Sequence, residues 1–265
     1  RTSHLLLHES GTMIGWGSFF FNQVTNGDGG GVYARDSSIV VSGVNCRVGG
    51  NGAVGSGGGM WLSNSTLHVV DGAAIGGGGL LNAALQDGGG VHLQHSTLLL
   101  SNGAAICSSI AATNGGGIMA HESLVIGIDN VAIGQAGGAA GNRAYNGGAL
   151  FLVASSAVFV RATLNGNTAE SAGGAVAVVG TSDLACTETT IAGNTATNFG
   201  ACVFSGVLGG ARFDNCLIIS NVARGMCGGM MTLMSQPLVL SNGTRLVYNE
   251  AGTVVGGLYC ILGHA

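Results

Sequence analysis

Few side chains in this chain are of a kind that could move a proton or hold a metal, and their spacing assembles one cluster. His95 and His121 lie nearly one repeat apart, Glu122 adjoins the second, and His92 stands just before the first. Two imidazoles and a carboxylate are suitable metal ligands, but no recognised ligand signature joins these three. His95 and Glu122 also fall near an expected exposed turn, so neither metal nor cofactor is assigned. A second row, Asp28, Ser56, Asp87, Asn114 and Asn146, precedes successive glycine pairs and reads as a polar corner rather than a calcium site. The remaining aspartates, among them Asp36, Asp71, Asp129, Asp183 and Asp214, are scattered. Acid–base cleavage needs two groups held about one bond; no such pair is evident, no catalytic residue is assigned, and the expectation is that the protein is not an enzyme.

The elements that would position these residues are marked by glycine. A pair begins at Gly29, Gly57, Gly88, Gly115, Gly147, Gly173, Gly228 and Gly256, with a degenerate copy at Gly200, at steps of 26 to 32 residues. Such a period denotes one supersecondary unit stacked on the next. Three residues after each pair begins stands an apolar residue: Val32, Met60, Val91, Ile118, Leu150, Val176, Val203, Met231 and Tyr259. A second inward row follows two residues on, from Ala34 and Leu62 to Leu233 and Ile261, so the segment alternates as a short strand. A second strand carries Ile39 and Val41, Leu67 and Val69, Leu98 and Leu100, and Leu238 and Leu240. A third is marked by Ile75, Ile106, Ile133, Leu164, Ile191, Ile218 and Leu246. Three short strands per repeat, without helical periodicity, describe one turn of a parallel β-helix. Glycine supplies one corner and asparagine another, at Asn167, Asn194, Asn221 and Asn249, where stacked amides can bond coil to coil.

Gly147-Gly148-Ala149-Leu150 and Gly173-Gly174-Ala175-Val176 are each followed by an apolar-x-x-Asn box, Leu164 to Asn167 and Ile191 to Asn194. These segments resemble the GGA(I/L/V) and FxxN repeats of the polymorphic outer membrane proteins. The likeness is to a repeat and is best between about residues 147 and 258. The N-terminal half has GGG in place of GGA and is read as lacking the asparagine box. The resemblance implies an all-β, single-stranded right-handed parallel β-helix (β-solenoid) of the pectin-lyase-like superfamily, displayed outside the cell and often adhesive. Roughly nine coils of about 28 residues are expected, in one domain over residues 1–265 that begins and ends mid-coil, as an excerpt of a longer solenoid or a stacked unit. Enzymes on this fold usually cleave acidic polysaccharides, but likeness of fold does not carry a site with it.

Composition narrows the partners. Charged residues make up 8% and the net charge is −4, with no basic cluster, which argues against nucleic acid. No apolar run is long enough for a transmembrane helix. So sparsely charged a surface is poorly protected against self-association. Seven cysteines occupy different repeat offsets; buried free thiols are one reading, and one or two bridges, such as Cys186 to Cys216, or bonds to neighbouring chains, the other. The sequons at Asn64 and Asn242 fall at expected corners and are candidate glycosylation sites for a secreted chain.

The position between the two inward residues of the first strand should face outward. It holds Tyr33, Trp61, His92, Met119, Phe151, Ala177, Phe204, Thr232 and Cys260. Tyr33, Trp61, His92, Met119, Phe151 and Phe204 are the interface candidates, for lateral packing or for stacking against sugar rings. The inverse orientation, with these rings in the core, stays open. The functional expectation is a non-catalytic extracellular or cell-surface structural protein of a fibre, appendage or wall layer, associating with itself or with other subunits. The alternatives are an adhesin or glycan-binding module and, less favoured, a polysaccharide lyase or hydrolase.

Overall fold

The computed structural model describes residues 3–8, 12–15, 22–206, 209–234 and 237–262. They form a right-handed parallel β-solenoid of about nine turns. Every strand pairs in parallel with its counterpart one coil away, building four nine-stranded sheets. The coil therefore has four strands, not three. One coil runs through Met60–Ser63, Thr66–Val70, Ala74–Ile75 and Asn82–Ala84, which represent sheets 1 to 4.

Inward side chains stack as ladders. Val32, Met60, Val91, Ile118, Leu150, Val176 and Val203 are register partners along sheet 1, and Val48, Ile75, Ile106, Ile133, Leu164, Ile191 and Ile218 along sheet 3. With Leu67, Leu98 and Val125 of sheet 2 they form one continuous buried core. Orientation of the first strand is thus as read, aliphatics in and rings out. Gly127 interrupts the sheet 2 ladder for a packing reason: a Cβ there would lie 2.6 Å from the ring of Phe159 on the next coil.

The last two coils depart from the expected register. Met230 pairs with Val203 and Leu258 with Met230, so these two, rather than Met231 and Tyr259, continue the inward ladder. Met231 and Tyr259 continue the outward row, and the buried Thr232 turns inward beside Ser205. Leu233, too, falls outside the expected inward row; the side chain of Ile261, and Ala265, lie outside the described residues. The cause lies in the corner. Cys227 and Val255 take its first position without a positive φ, so glycine is needed one place later, where a Cβ on Gly228 would strike the Glu250 carbonyl.

The asparagine corner also differs from expectation, by extending into the N-terminal half. Asn22, Asn51, Asn82, Ser109, Asn142, Asn167, Asn194, Asn221 and Asn249 form one row at the start of sheet 4, with Ser109 the single non-asparagine rung. In the interior asparagine rungs, a carboxamide N–H donates to the sheet 3 carbonyl of the preceding coil, as Asn194 does to Leu164 at 3.0 Å. The oxygen of each next asparagine accepts from the backbone N–H and the amide of the rung before. These bonds satisfy groups that burial would otherwise leave orphaned. A serine ladder does similar work between sheets 1 and 2: the hydroxyls of Ser65, Ser96, Ser123, Ser155 and Ser182 each accept a backbone N–H from the neighbouring coil.

Candidate functional site

The histidine cluster is brought together only in part. His95 and Glu122 occupy equivalent left-handed corner positions on adjacent coils, with φ of 49° and 47°, and His95 Nδ1 lies 2.8 Å from Glu122 Oε2. The His121 ring meets His95 edge-on at 6.2 Å. Beside them runs an open groove of about 440 Å³, lined among others by Ser96, Ser123 and Ser155. Their hydroxyls already donate to carbonyls two residues back and accept from the adjacent coil, so none is free to act as a nucleophile. Among the described residues no three His, Cys, Asp or Glu side chains are placed to hold a metal.

His92 belongs to a different surface. Tyr33, Trp61, His92, Met119, Phe151 and Phe204 fall in one outward row along sheet 1, joined by Ala177, Met231 and Tyr259. Tyr33 lies flat on Trp61, with ring centroids 4.6 Å apart, and His92 stacks beyond at 6.3 Å. The row shields itself: Tyr33 is 53% exposed, but Trp61 and Met119 only 7%. The corner folds close against it, since a Cβ on Gly57 would sit 2.8 Å from that of Trp61. Burial pulls the His92 imidazole below its ordinary value of 6.5, against the opposing pull of the Asp87 and Asp28 carboxylates. Its Nδ1 is buried without a partner.

The aspartate row is a polar corner built by coil-to-coil bonds. Asp28 accepts the Ser56 N–H at 2.6 Å, Asp87 accepts the Asn114 N–H at 2.9 Å, and Asn146 donates to Asn114 at 3.1 Å. Both sequon asparagines are exposed at left-handed corners, Asn64 with φ 48° and Asn242 with φ 48°; the Asn242 amide donates to Asp214. All seven cysteines are free thiols; Cys260 is exposed and the other six are buried. Cys216 Sγ donates to the Cys186 carbonyl at 3.3 Å rather than bridging to its sulfur. Burial raises the Cys186 and Cys202 thiols well above their ordinary range and Cys227 to about 11.

Sequence reasoning missed the outer face of sheet 2. Val40, His68, Leu99, Ile126 and Val158 form its central outward row. The signal was present: Thr97–Ser101 and Leu124–Ile128 are nearly unbroken apolar runs, which mark strands covered on both faces. Among the described residues, no helix is long and apolar enough to cross a membrane. No protein-family model, no curated protein and no solved structure matches the chain.

Proposed function

We propose that this chain is a non-catalytic extracellular structural protein that forms or decorates a surface fibre, appendage or wall layer through lateral and end-to-end contacts. The observation that carries this reading is the asparagine ladder, which ties coil to coil from Asn22 to Asn82 and again from Ser109 to Asn249. Together with parallel pairing in four sheets, it lays hydrogen bonds along the rod axis, the geometry suited to resisting extension. The resemblance of the Gly147 and Gly173 repeats to those of the polymorphic outer membrane proteins, within the pectin-lyase-like superfamily, supports display outside the cell. Asn64 and Asn242 stand on exposed corners, where an N-glycan has room. Electron microscopy of the purified protein tests the reading: filaments or lateral sheets support it, and a monodisperse monomer contradicts it. Cleavage of polygalacturonate or a related polymer would overturn the non-catalytic assignment.

A second reading, an adhesin or glycan-binding module, is favoured by one observation. The half-exposed Tyr33 ring, stiffened by Trp61 beneath it, offers a flat face of the kind on which sugar rings stack. Binding on a glycan array that is lost in Tyr33→Ala would establish it.

A further inference from the structure

We infer that the outer face of sheet 2 is a self-association surface, on which a second copy of this chain packs with its rod axis antiparallel to the first. This inference rests on the structural reading above and names the surface that reading requires.

Three adjacent strands of sheet 2, Thr97–Ser101, Leu124–Ile128 and Ser156–Val160, have the composition of strands buried on both sides. Their inward half, including Leu98, Leu100, Val125 and Phe159, fills the core. The outward half is equally apolar where Leu99, Ile126 and Val158 follow one another, with Ile128 and Val160 beside the last two. Val158 is 37% exposed, and Leu6, at the head of the same row, 64%. A sheet with one wet face alternates polar and apolar residues, and at Leu99, Ile126 and Val158 that alternation is lost. Parts of two other faces are covered by the chain itself. Ala136 and Ala139 of an inserted loop pack against Ala74, Ala105 and Cys107 on and beside sheet 3, and on sheet 1 the rings of Tyr33, Trp61 and His92 stack on one another. Among the described residues nothing comparable overlies sheet 2.

Area and charge both point to a second copy. Eight strands of about five residues span roughly 17 by 38 Å, near 650 Å² a side and about 1,300 Å² for a pair, which falls within the range of stable interfaces. The face carries His4 and His8 at one end and Asp183, Arg212 and Asp214 toward the other. A two-fold axis along the strands, passing between Leu99 and Ile126, sets each of these residues against the other in the partner. It also brings His8 opposite Asp214, places Arg212 over Leu6, and opposes no like charges. Rods packed in the same direction about an axis parallel to the rod would instead set Arg212 against Arg212, and like charges in contact are strongly disfavoured.

The test is sedimentation of the wild-type chain, of Leu99→Asp, of Ile126→Lys, and of an equal mixture of the two variants, with circular dichroism to verify the fold. The expected result is an associating wild type, and single variants whose self-association is at least about 100-fold weaker, because each buries an unpaired charge. The mixture regains association, since the carboxylate introduced in one copy then meets the ammonium introduced in the other across the axis. If either charged variant misfolds, Leu99→Thr and Ile126→Thr replace the pair, and each should weaken association about 10-fold. Variants that associate as tightly as wild type would overturn this surface while leaving the structural reading intact. Weakened variants whose mixture stays dissociated would overturn the antiparallel register. A wild type that is monomeric at every concentration and forms no filaments would overturn the structural reading as well.

Discussion

Asn194 Oδ1 accepts two hydrogen bonds from Asn167, one from the backbone N–H at 2.9 Å and one from the carboxamide at 3.0 Å. Asn194 in turn donates the same pair to Asn221. One side chain thus closes the polar groups of three coils.

Asn194→Ala therefore strips partners from the Asn167 N–H and amide and from the Leu164 carbonyl, all buried. The expected loss is about 3 kcal/mol of stability, because buried groups left unmade cost more than a bond gains. At the part-exposed Asn249 water can replace the lost partners, and Asn249→Ala should cost about 1 kcal/mol. Urea midpoints measure both; equal losses would contradict the account.

Gly127 and Phe159 form a size-complementary pair on adjacent strands of sheet 2. Gly127→Ala should destabilise by about 1–3 kcal/mol through overpacking. Adding Phe159→Leu should recover part of that loss, and a double-mutant cycle without coupling would show that the ring does not set the requirement for glycine.

The left-handed corners include residues that are poorly suited to them. Ala154 holds φ at 47° with no side-chain polar group to compensate. Ala154→Gly is expected to stabilise by about 0.5–1 kcal/mol, against the usual effect of adding glycine. A lower thermal midpoint in this variant would contradict the corner geometry.

How much of this was legible in the sequence varies with the size of the repeated side chain. The ladders of sheets 1 and 3 could be read because Val, Ile and Leu recur at fixed offsets. Sheet 4 could not, because its inward residues are small, Ala53, Ala84, Ala169 and Ala196, and short Ala and Gly segments carry no visible alternation. The N-terminal asparagine rungs were obscured differently. Val48 and Asn51 keep the box spacing, but the inserted residues 76–81 separate Ile75 from Asn82, and serine replaces asparagine at Ser109. In the last two coils the glycine pair itself misled, since Gly228 and Gly256 serve close backbone approach rather than the left-handed turn. The nearness of His95, His121 and Glu122 followed from nearly equal offsets on adjacent coils, whereas the covered state of Trp61 depends on neighbouring rings and corner geometry that spacing alone does not reveal.

His92 makes stability depend on acidity. Its imidazole is held below 6.5 in the folded chain, so the unfolded chain binds the proton more readily. The contribution of the neutral ring is complete above about pH 6.5 and is lost as pH falls through the lower folded value. His92→Phe keeps the stack on Trp61, removes the unpartnered Nδ1, and should flatten stability across that window. An unchanged pH profile would show that another group is responsible.

Thiol reactivity reports the packed core. Native protein should show one fast-reacting thiol, Cys260, and six slow ones held by burial. Cys260→Ser should abolish the fast phase, and a persisting fast phase would mean that the coils open locally.

The axial design is tested most directly by pulling a single molecule from its two ends. The account predicts rupture in successive steps that each release about one coil, near 10 nm of chain, with Asn194→Ala lowering the force of the steps that involve its own and adjoining coils. Extension in one unstructured, low-force event, indifferent to that substitution, would contradict a rod built to bear load along its axis.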